Sequence, residues 1–286
     1  MATYRVLVLI TLISLSIPKA FGLEIIRLSI GASNHELFSI VLDATVDKYG
    51  PYRFEINDVS SQGRAMEELA NNRSIDLIWF ATSSEREQKL LPIRIPIDMG
   101  LLGYRVCLIN KNDQYKFTEI SDKNSWERSG LSIGQGQHWP DTQILLANNI
   151  NVFTSHSYHL LFDMLRAKRF DCFARSVREI NREVKEQKLE DLSIERDLLF
   201  VYPMPSFAFV SRDNLALAER IRYGFKVIID NGHFQNYFLR HQQERLQELN
   251  LNSRRVIRLN NPDLTQETKR ALKNFPLWFP SFSEYH

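Results

Sequence analysis

Glu24-Ile-Ile-Arg-Leu-Ser-Ile-Gly31 reads as a β-strand whose second half is buried. His35–Lys48 follows, with Leu37, Ile40, Val41 and Ala44 at i, i+3, i+4 and i+7, one face of a helix. Tyr52–Val59 is a second strand, Gln62–Asn72 a helix and Ile75–Phe80 a third strand. A β-α-β-α-β run of this kind predicts an α/β fold with a parallel sheet, because the helical crossovers must cover its faces.

Toward the C-terminus an extended stretch runs from Ile93 through Gly100-Leu-Leu-Gly-Tyr-Arg-Val-Cys-Leu-Ile109. A second α/β cycle then begins: strand Leu131–Gln135, helix Pro140–Asn149, strand Asn151–Thr154 and helix Ser157–Lys168. Strand Arg169–Arg175, helix Ser176–Lys188 and strand Leu198–Tyr202 complete it. Ser206–Ser211 opens a third portion, whose helix Asn214–Asp230 is stopped by Gly232. Helices over Phe234–Leu249 and Thr265–Asn274 finish the chain. Two α/β lobes joined by extended strands is the expected architecture.

Toward the N-terminus, Met1–Arg5 is a short positive region and Val6–Ile17 an apolar and hydroxyl run. Pro18-Lys-Ala-Phe-Gly22 then supplies small residues at a cleavage site, the pattern of a secretory signal peptide covering residues 1–22. The formal charge of +2 disappears with Arg5 and Lys19, so the exported chain is neutral and offers no basic nucleic-acid footprint. With 44% hydrophobic and 24% charged residues the chain is too apolar for intrinsic disorder. No later run approaches the length of a membrane span. Cys107 and Cys172 are both far from the cleavage site, so a lipid anchor is not expected. The expected location is a periplasm.

Ser33-Asn-His-Glu36, Ser84-Glu-Arg-Glu87 and Ser176-Val-Arg-Glu179 each match the Ser-x-x-Glu capping box, and Pro140 marks another helix start. As caps they are complete in themselves. Yet all four junctions follow carboxyl ends of parallel strands, where open α/β sheets place their ligands. Their free N–H groups make them a candidate cleft for an anionic group.

Several segments, in order, resemble one family. They are Ser74-Ile-Asp-Leu-Ile-Trp79 with Thr82-Ser-Ser-Glu-Arg86, Leu131-Ser-Ile-Gly-Gln-Gly136 and Leu165-Arg-Ala-Lys-Arg-Phe-Asp-Cys172. Val210-Ser-Arg-Asp-Asn214 and Asn231-Gly-His-Phe234 close the series. Together they resemble the type II periplasmic binding protein fold, specifically the amino-acid-type solute-binding proteins of family 3. His138-Trp-Pro-Asp-Thr142 and Phe173-Ala-Arg175 look like a divergent branch of it.

The resemblance implies two lobes and two crossover strands, with residues 23–104 plus 204–286 in lobe 1 and 105–203 in lobe 2. It implies a ligand between the lobes, and the helix starts read above add Asn34, His35 and Ser84 as candidate ligand contacts. Arg86 matches the family's carboxylate-binding arginine, suited to that task by its planar fork. Gly136-Gln137-His138 stands where the family has Gly-Thr-Thr, with Trp139 or Trp79 available to stack on a ligand. The family's ammonium-binding aspartate falls on Ser176, beside Arg175. A serine cannot neutralise an ammonium group, so the expected ligand is small and polar, anionic or aromatic, rather than an ordinary amino acid. The fold also implies that Cys107 and Cys172 lie close; a bridge and two separate buried thiols both remain open.

His156 and His159 have no ligand partners in metal spacing, and no nucleophile elbow or phosphate-binding glycine loop occurs. No cofactor and no catalysis are expected. The expected role is a monomeric receptor feeding a membrane transporter, with a receptor reporting to a membrane sensor protein as the alternative and an enzyme on this fold as the remote third.

Overall fold

The computed structural model describes residues 22–29, 35–57, 59, 61–187, 189–273 and 275, the side chains of 242–246 excepted. The signal-peptide reading for residues 1–21, the Ser33 cap and Asn34 lie outside the described residues.

Lobe 1 begins with β1 (Glu24–Ser29), α1 (His35–Asp43), the single turn α2 (Val46–Tyr49), β2 (Tyr52–Asn57) and α3 (Gln62–Ala70). β3 (Ile78–Ala81), α4 (Ser84–Lys89) and β4 (Leu91–Ile93) follow. β1 and β2 pair in parallel, Glu24 opposite Tyr52 and Ser29 opposite Asn57. A parallel bridge from Leu28 to Leu77 carries the sheet on toward β3. The buried face of α1 is turned from the expected one: Leu37 and Val41 are joined by Phe38 and Leu42 in packing with Ile26 and Leu28, and Ile40 and Ala44 are half-buried at its edge.

Residues 94–103 cross into lobe 2, which holds β5 (Tyr104–Asn110), α5 (Lys123–Ser129), β6 (Ser132–Gly136), α6 (Pro140–Ala147) and β7 (Asn151–Ser155). Then come α7 (Tyr158–Arg166), β8 (Cys172–Ser176), α8 (Ile180–Glu186), β9 (Leu192–Ile194) and β10 (Leu198–Val201). β5 is central and its side chains alternate between two cores. Tyr104, Val106 and Leu108 face α7 and α8, while Cys107 and Ile109 face Phe117, Trp126 and Ile133. Cys107 on β5 and Cys172 on the antiparallel neighbour β8 form a disulfide, with Cα atoms 5.0 Å apart.

After the second crossover, β11 (Ser206–Val210) returns to lobe 1 between β3 and β4, antiparallel to both. α9 (Leu215–Asp230) lays Leu217, Ala218, Ile221 and Phe225 on α1. α10 (His233–Glu248), β12 (Arg255–Arg258) and α11 (Gln266–Lys273) complete the chain. β12 pairs in parallel with β10, giving the lobe-2 sheet the path β12-β10-β5-β8-β6-β7. Arg255-Val-Ile-Arg258 carries only two apolar residues between arginines, so its strand character comes from pairing and not from a periodic signal.

The two crossovers touch. Tyr202 N–H donates to the Gly103 carbonyl at 3.1 Å, and a Cβ at Gly103 would collide with the Tyr202 carbonyl oxygen. Asp98, buried on the first crossover, accepts from the N–H groups of Leu102 at 2.9 Å and, on the second, Ser206 at 3.3 Å.

Candidate functional site

A cleft of about 480 Å³ opens between the lobes. Its lobe-1 wall is Trp79, Phe80, Ala81 and Arg86; its lobe-2 wall is Arg105, Trp139, Asp141, Arg175, Arg178 and Glu179.

Arg86 lies in the first turn of α4, whose N-cap is Ser83: the Ser83 hydroxyl accepts from Arg86 N–H at 3.2 Å. The Arg86 guanidinium lies over the Phe80 ring, 4.2 Å from its centroid, and donates to Gln62 Oε1 at 3.0 Å and to the Ala81 carbonyl. Burial pulls its pKa down to about 10, against the opposing charges of Glu85, Asp141 and Asp263. Among the described residues no carboxylate makes an ion pair with it.

On the opposite wall each arginine has an acidic partner. Arg175 donates to Glu183 through Nε at 2.7 Å and also through Nη2, which reaches Glu179 at 3.2 Å. Its guanidinium sits over Trp139, Phe173 and Tyr158, 4.9, 5.0 and 5.4 Å from their centroids. Burial alone would lower its pKa, but Glu183 and Glu179 outweigh that and hold it above the ordinary arginine value. Arg105 pairs with Asp141 at 2.7 Å, and the Tyr202 hydroxyl donates to the same oxygen at 2.6 Å. Arg178 lies 3.7 Å from Asp98, whose carboxyl burial pushes upward. For Glu179 burial is outweighed by Arg175, Arg105 and Arg178, so its carboxyl stays below the usual range and is ionised at neutral pH. Gly136 matters to this wall because a Cβ there would strike the Trp139 ring.

No protein-family model matches the chain, and no curated protein matches its sequence. Solved structures do match. The periplasmic VFT2 domain of Bordetella pertussis BvgS superposes with a TM-score of 0.59 at 13% identity, covering 76% of this chain and 93% of that one. An ancestral arginine-binding protein bound to arginine gives 0.55 at 13% identity, over 76% and 97%. A Salmonella typhimurium periplasmic binding protein of high arginine specificity gives 0.54 at 13% identity, over 79% and 98%. The fold is that of the type II periplasmic binding proteins.

Within that fold the residues singled out from the sequence are distributed unevenly. Arg86, Trp139 and Arg175 come together in the cleft, and Trp79 joins them while stacking on Phe38 at 4.4 Å. Gln137 and His138 are exposed and lie outside the cleft lining; His138 instead faces His156, ring centroids 5.4 Å apart. His35 is exposed against Phe54.

Two capping boxes are corrected. Ser84 is one residue inside α4, and its hydroxyl donates to Asp263 while Ser83 caps. Ser176 is fully buried at the end of β8, where its hydroxyl donates to the Leu101 carbonyl at 3.4 Å. α8 starts only at Ile180, because residues 177–179 form a turn. Arg175 lines the cleft with its charge already met by Glu183 and Glu179.

The sequence reading missed Arg105, Asp141, Arg178 and Glu179. Glu179 was legible only as a capping carboxylate, yet it lines the cleft. Asp141 carried the one usable signal, its place next to Pro140 at a helix start following a strand end.

Proposed function

We propose that this protein is an exported solute-binding receptor that closes its lobes on a small polar ligand bearing a carboxylate, and that it hands the ligand to a membrane transporter. The observation that supports the reading is Arg86, a desolvated guanidinium on the cleft wall with no acidic partner among the described residues. A carboxylate would complete its bidentate geometry and relieve the cost of its burial. The remaining cleft arginines already face acids, so a ligand carrying several negative charges would meet Asp141 and Glu179. One carboxylate together with a cationic or hydrogen-donating group toward Glu179 fits the balance. Trp79, Phe80 and Trp139 supply apolar walls for the rest of it. Nothing in this set is arranged as a nucleophile with a base, which favours binding over catalysis.

The proposal includes removal of a signal peptide after Gly22 and lobes divided near residues 104 and 204, the C-terminal segment contributing β12 to the lobe-2 sheet. No helix among the described residues is long and apolar enough to cross a membrane. The likeness to the BvgS periplasmic domain is the reason to keep a second reading, a ligand sensor acting through a membrane signalling partner.

Thermal-shift screening of the purified protein against amino acids, monocarboxylic and dicarboxylic acids tests the first reading. A binder should raise the melting temperature by mass action. The gain should vanish in Arg86→Ala. A panel without any response, or a binder indifferent to Arg86→Ala, overturns the assignment.

A further inference from the structure

The C-terminal segment does something that neither the fold nor the cleft requires. It leaves the lobe-2 sheet at β12, where Ile257 and Leu259 are buried in the core with Cys107, Ile133 and Phe200. Asn260 then exchanges two hydrogen bonds with Asn148 at the end of α6: its N–H donates to Asn148 Oδ1 at 3.0 Å, and Asn148 Nδ2 donates back at 2.7 Å. Asn261 Nδ2 donates to the carbonyl of Pro203, on the second crossover, at 2.8 Å. Immediately beyond, the segment belongs to lobe 1. Asp263 accepts from the Ser84 hydroxyl and lies 3.4 Å from its N–H. Thr265 and Thr268 donate to the buried carboxylate of Glu87 at 2.8 and 2.6 Å, where Arg94 at 2.7 Å and Thr82 at 2.6 Å also converge.

Three peptide steps separate the lobe-2 anchor Asn260 from the lobe-1 anchor Asp263. At about 3.8 Å between successive Cα atoms, they cannot stretch beyond roughly 11 Å. The anchored helix is α4, which carries Arg86. We propose that residues 259–268 are a strap, a further chain connection between the lobes beyond the two crossovers, which restrains lobe opening at the α4–α6 side and keeps the ligand-free protein near the lobe spacing of this structure. Asp263 and Glu87 are positioning residues in this device and do not line the cleft.

A second tie runs along α10. Phe234 and Tyr237 at its start are buried in the lobe-1 core, while Phe238 packs in the lobe-2 core. His241 reaches Glu36 at 3.1 Å on lobe 1, and Glu248 accepts from Asn181 at 2.6 Å on lobe 2. A binding protein free to swing widely about a hinge would not need its lobes joined at four places.

Double electron–electron resonance on the ligand-free full protein tests the strap without knowing the ligand. Spin labels go on Asp47→Cys in lobe 1 and Lys185→Cys in lobe 2, both exposed, the native cysteines being bridged and unreactive. The unmodified strap should give one narrow distance distribution. Six glycine and serine residues inserted between Pro262 and Asp263 should lengthen and broaden it, with cooperative melting retained. Should that variant fail to fold, Asp263→Ala is the milder probe and should broaden the distribution in the same direction. Lowered melting temperature with an unchanged distribution would make the segment merely structural and overturn the proposal, and so would a broad distribution already present in the unmodified protein. No ligand enters the measurement, so its failure would leave the carboxylate-receptor reading standing, and the reverse.

Discussion

Arg86 on the lobe-1 wall and Arg175 on the lobe-2 wall are the same side chain in opposite circumstances. Arg86 is desolvated, has polar oxygens and a phenyl ring for company, and has its pKa lowered to about 10. Arg175 is more deeply buried, yet its pKa is raised, because Glu183 grips it through two nitrogens. Burial acts in the same direction on both; the acid decides the outcome. A cation whose charge is met inside the protein belongs to the fold, and one whose charge is not met is available to a ligand.

That contrast predicts different losses from the same substitution. Arg175→Ala leaves Glu183 buried beside a cavity between Trp139 and Phe173. Breaking a buried pair in this way costs about 3–5 kcal/mol, the largest effect expected in the cleft. Urea unfolding measures it, and a loss below about 1 kcal/mol would dissolve the distinction between the two arginines.

Arg86→Ala should behave the other way round. Folding stability should change little, because no buried acid among the described residues is orphaned. Affinity for the carboxylate ligand should fall by about 1.5–3 kcal/mol, the worth of charged hydrogen bonds, or roughly 10- to 100-fold. Calorimetry with whichever acid the thermal screen returns reads this directly. Binding by the unmodified protein should also weaken as pH rises through about 10, since the carboxylate needs the protonated guanidinium.

Glu87→Gln probes the neighbouring carboxylate, which is bound as firmly as Arg86 is loosely. Burial works to raise the Glu87 pKa, but Thr268, Thr82, Thr265 and Arg94 outweigh it and hold the carboxyl below its ordinary value. A depressed carboxyl adds stability above the unfolded pKa and loses it as pH falls through the folded one. The substitution should therefore cost about 1–3 kcal/mol at neutral pH, less as the solution becomes strongly acidic. Chemical unfolding at pH 7 and near pH 3 checks the sign. A gap that widens in acid would contradict it.

These residues also mark where sequence reading succeeds and where it stops. α1 was legible because Leu37 and Val41 repeat at a helical period, although Phe38 and Leu42, and not Ile40, complete the buried face. Arg86 was legible through its segment, which keeps its order after a strand end. Glu179 and Glu183 were not, because their role depends on which way Arg175 turns at the end of β8, and no periodicity encodes that. β12 and the strap were hidden for a related reason: their stabilising partners, Asn148, Ser84 and Glu87, lie more than a hundred residues away in the chain.

The smallest effect is expected where the sequence pointed most directly and the structure disagrees. Gln137 and His138 follow Gly136 in a turn that the family resemblance puts at the ligand, and they differ from the family's hydroxyls enough to suggest altered specificity. Both side chains are exposed outside the cleft lining, while Trp139, the next residue, is drawn inward over Arg175. Gln137 is held by its backbone N–H, which donates to the Ser155 carbonyl at 3.0 Å and survives any side-chain change. The double variant Gln137→Ala, His138→Ala should accordingly shift stability by less than about 0.5 kcal/mol, as exposed substitutions do. It should leave ligand affinity where it was, whereas Trp139→Ala, one residue further on, should weaken both. If the double variant costs affinity as Arg86→Ala does, the cleft closes further over this turn than the structure shows. The lobe-2 wall would then be read from Gln137 and His138 as well as from Glu179.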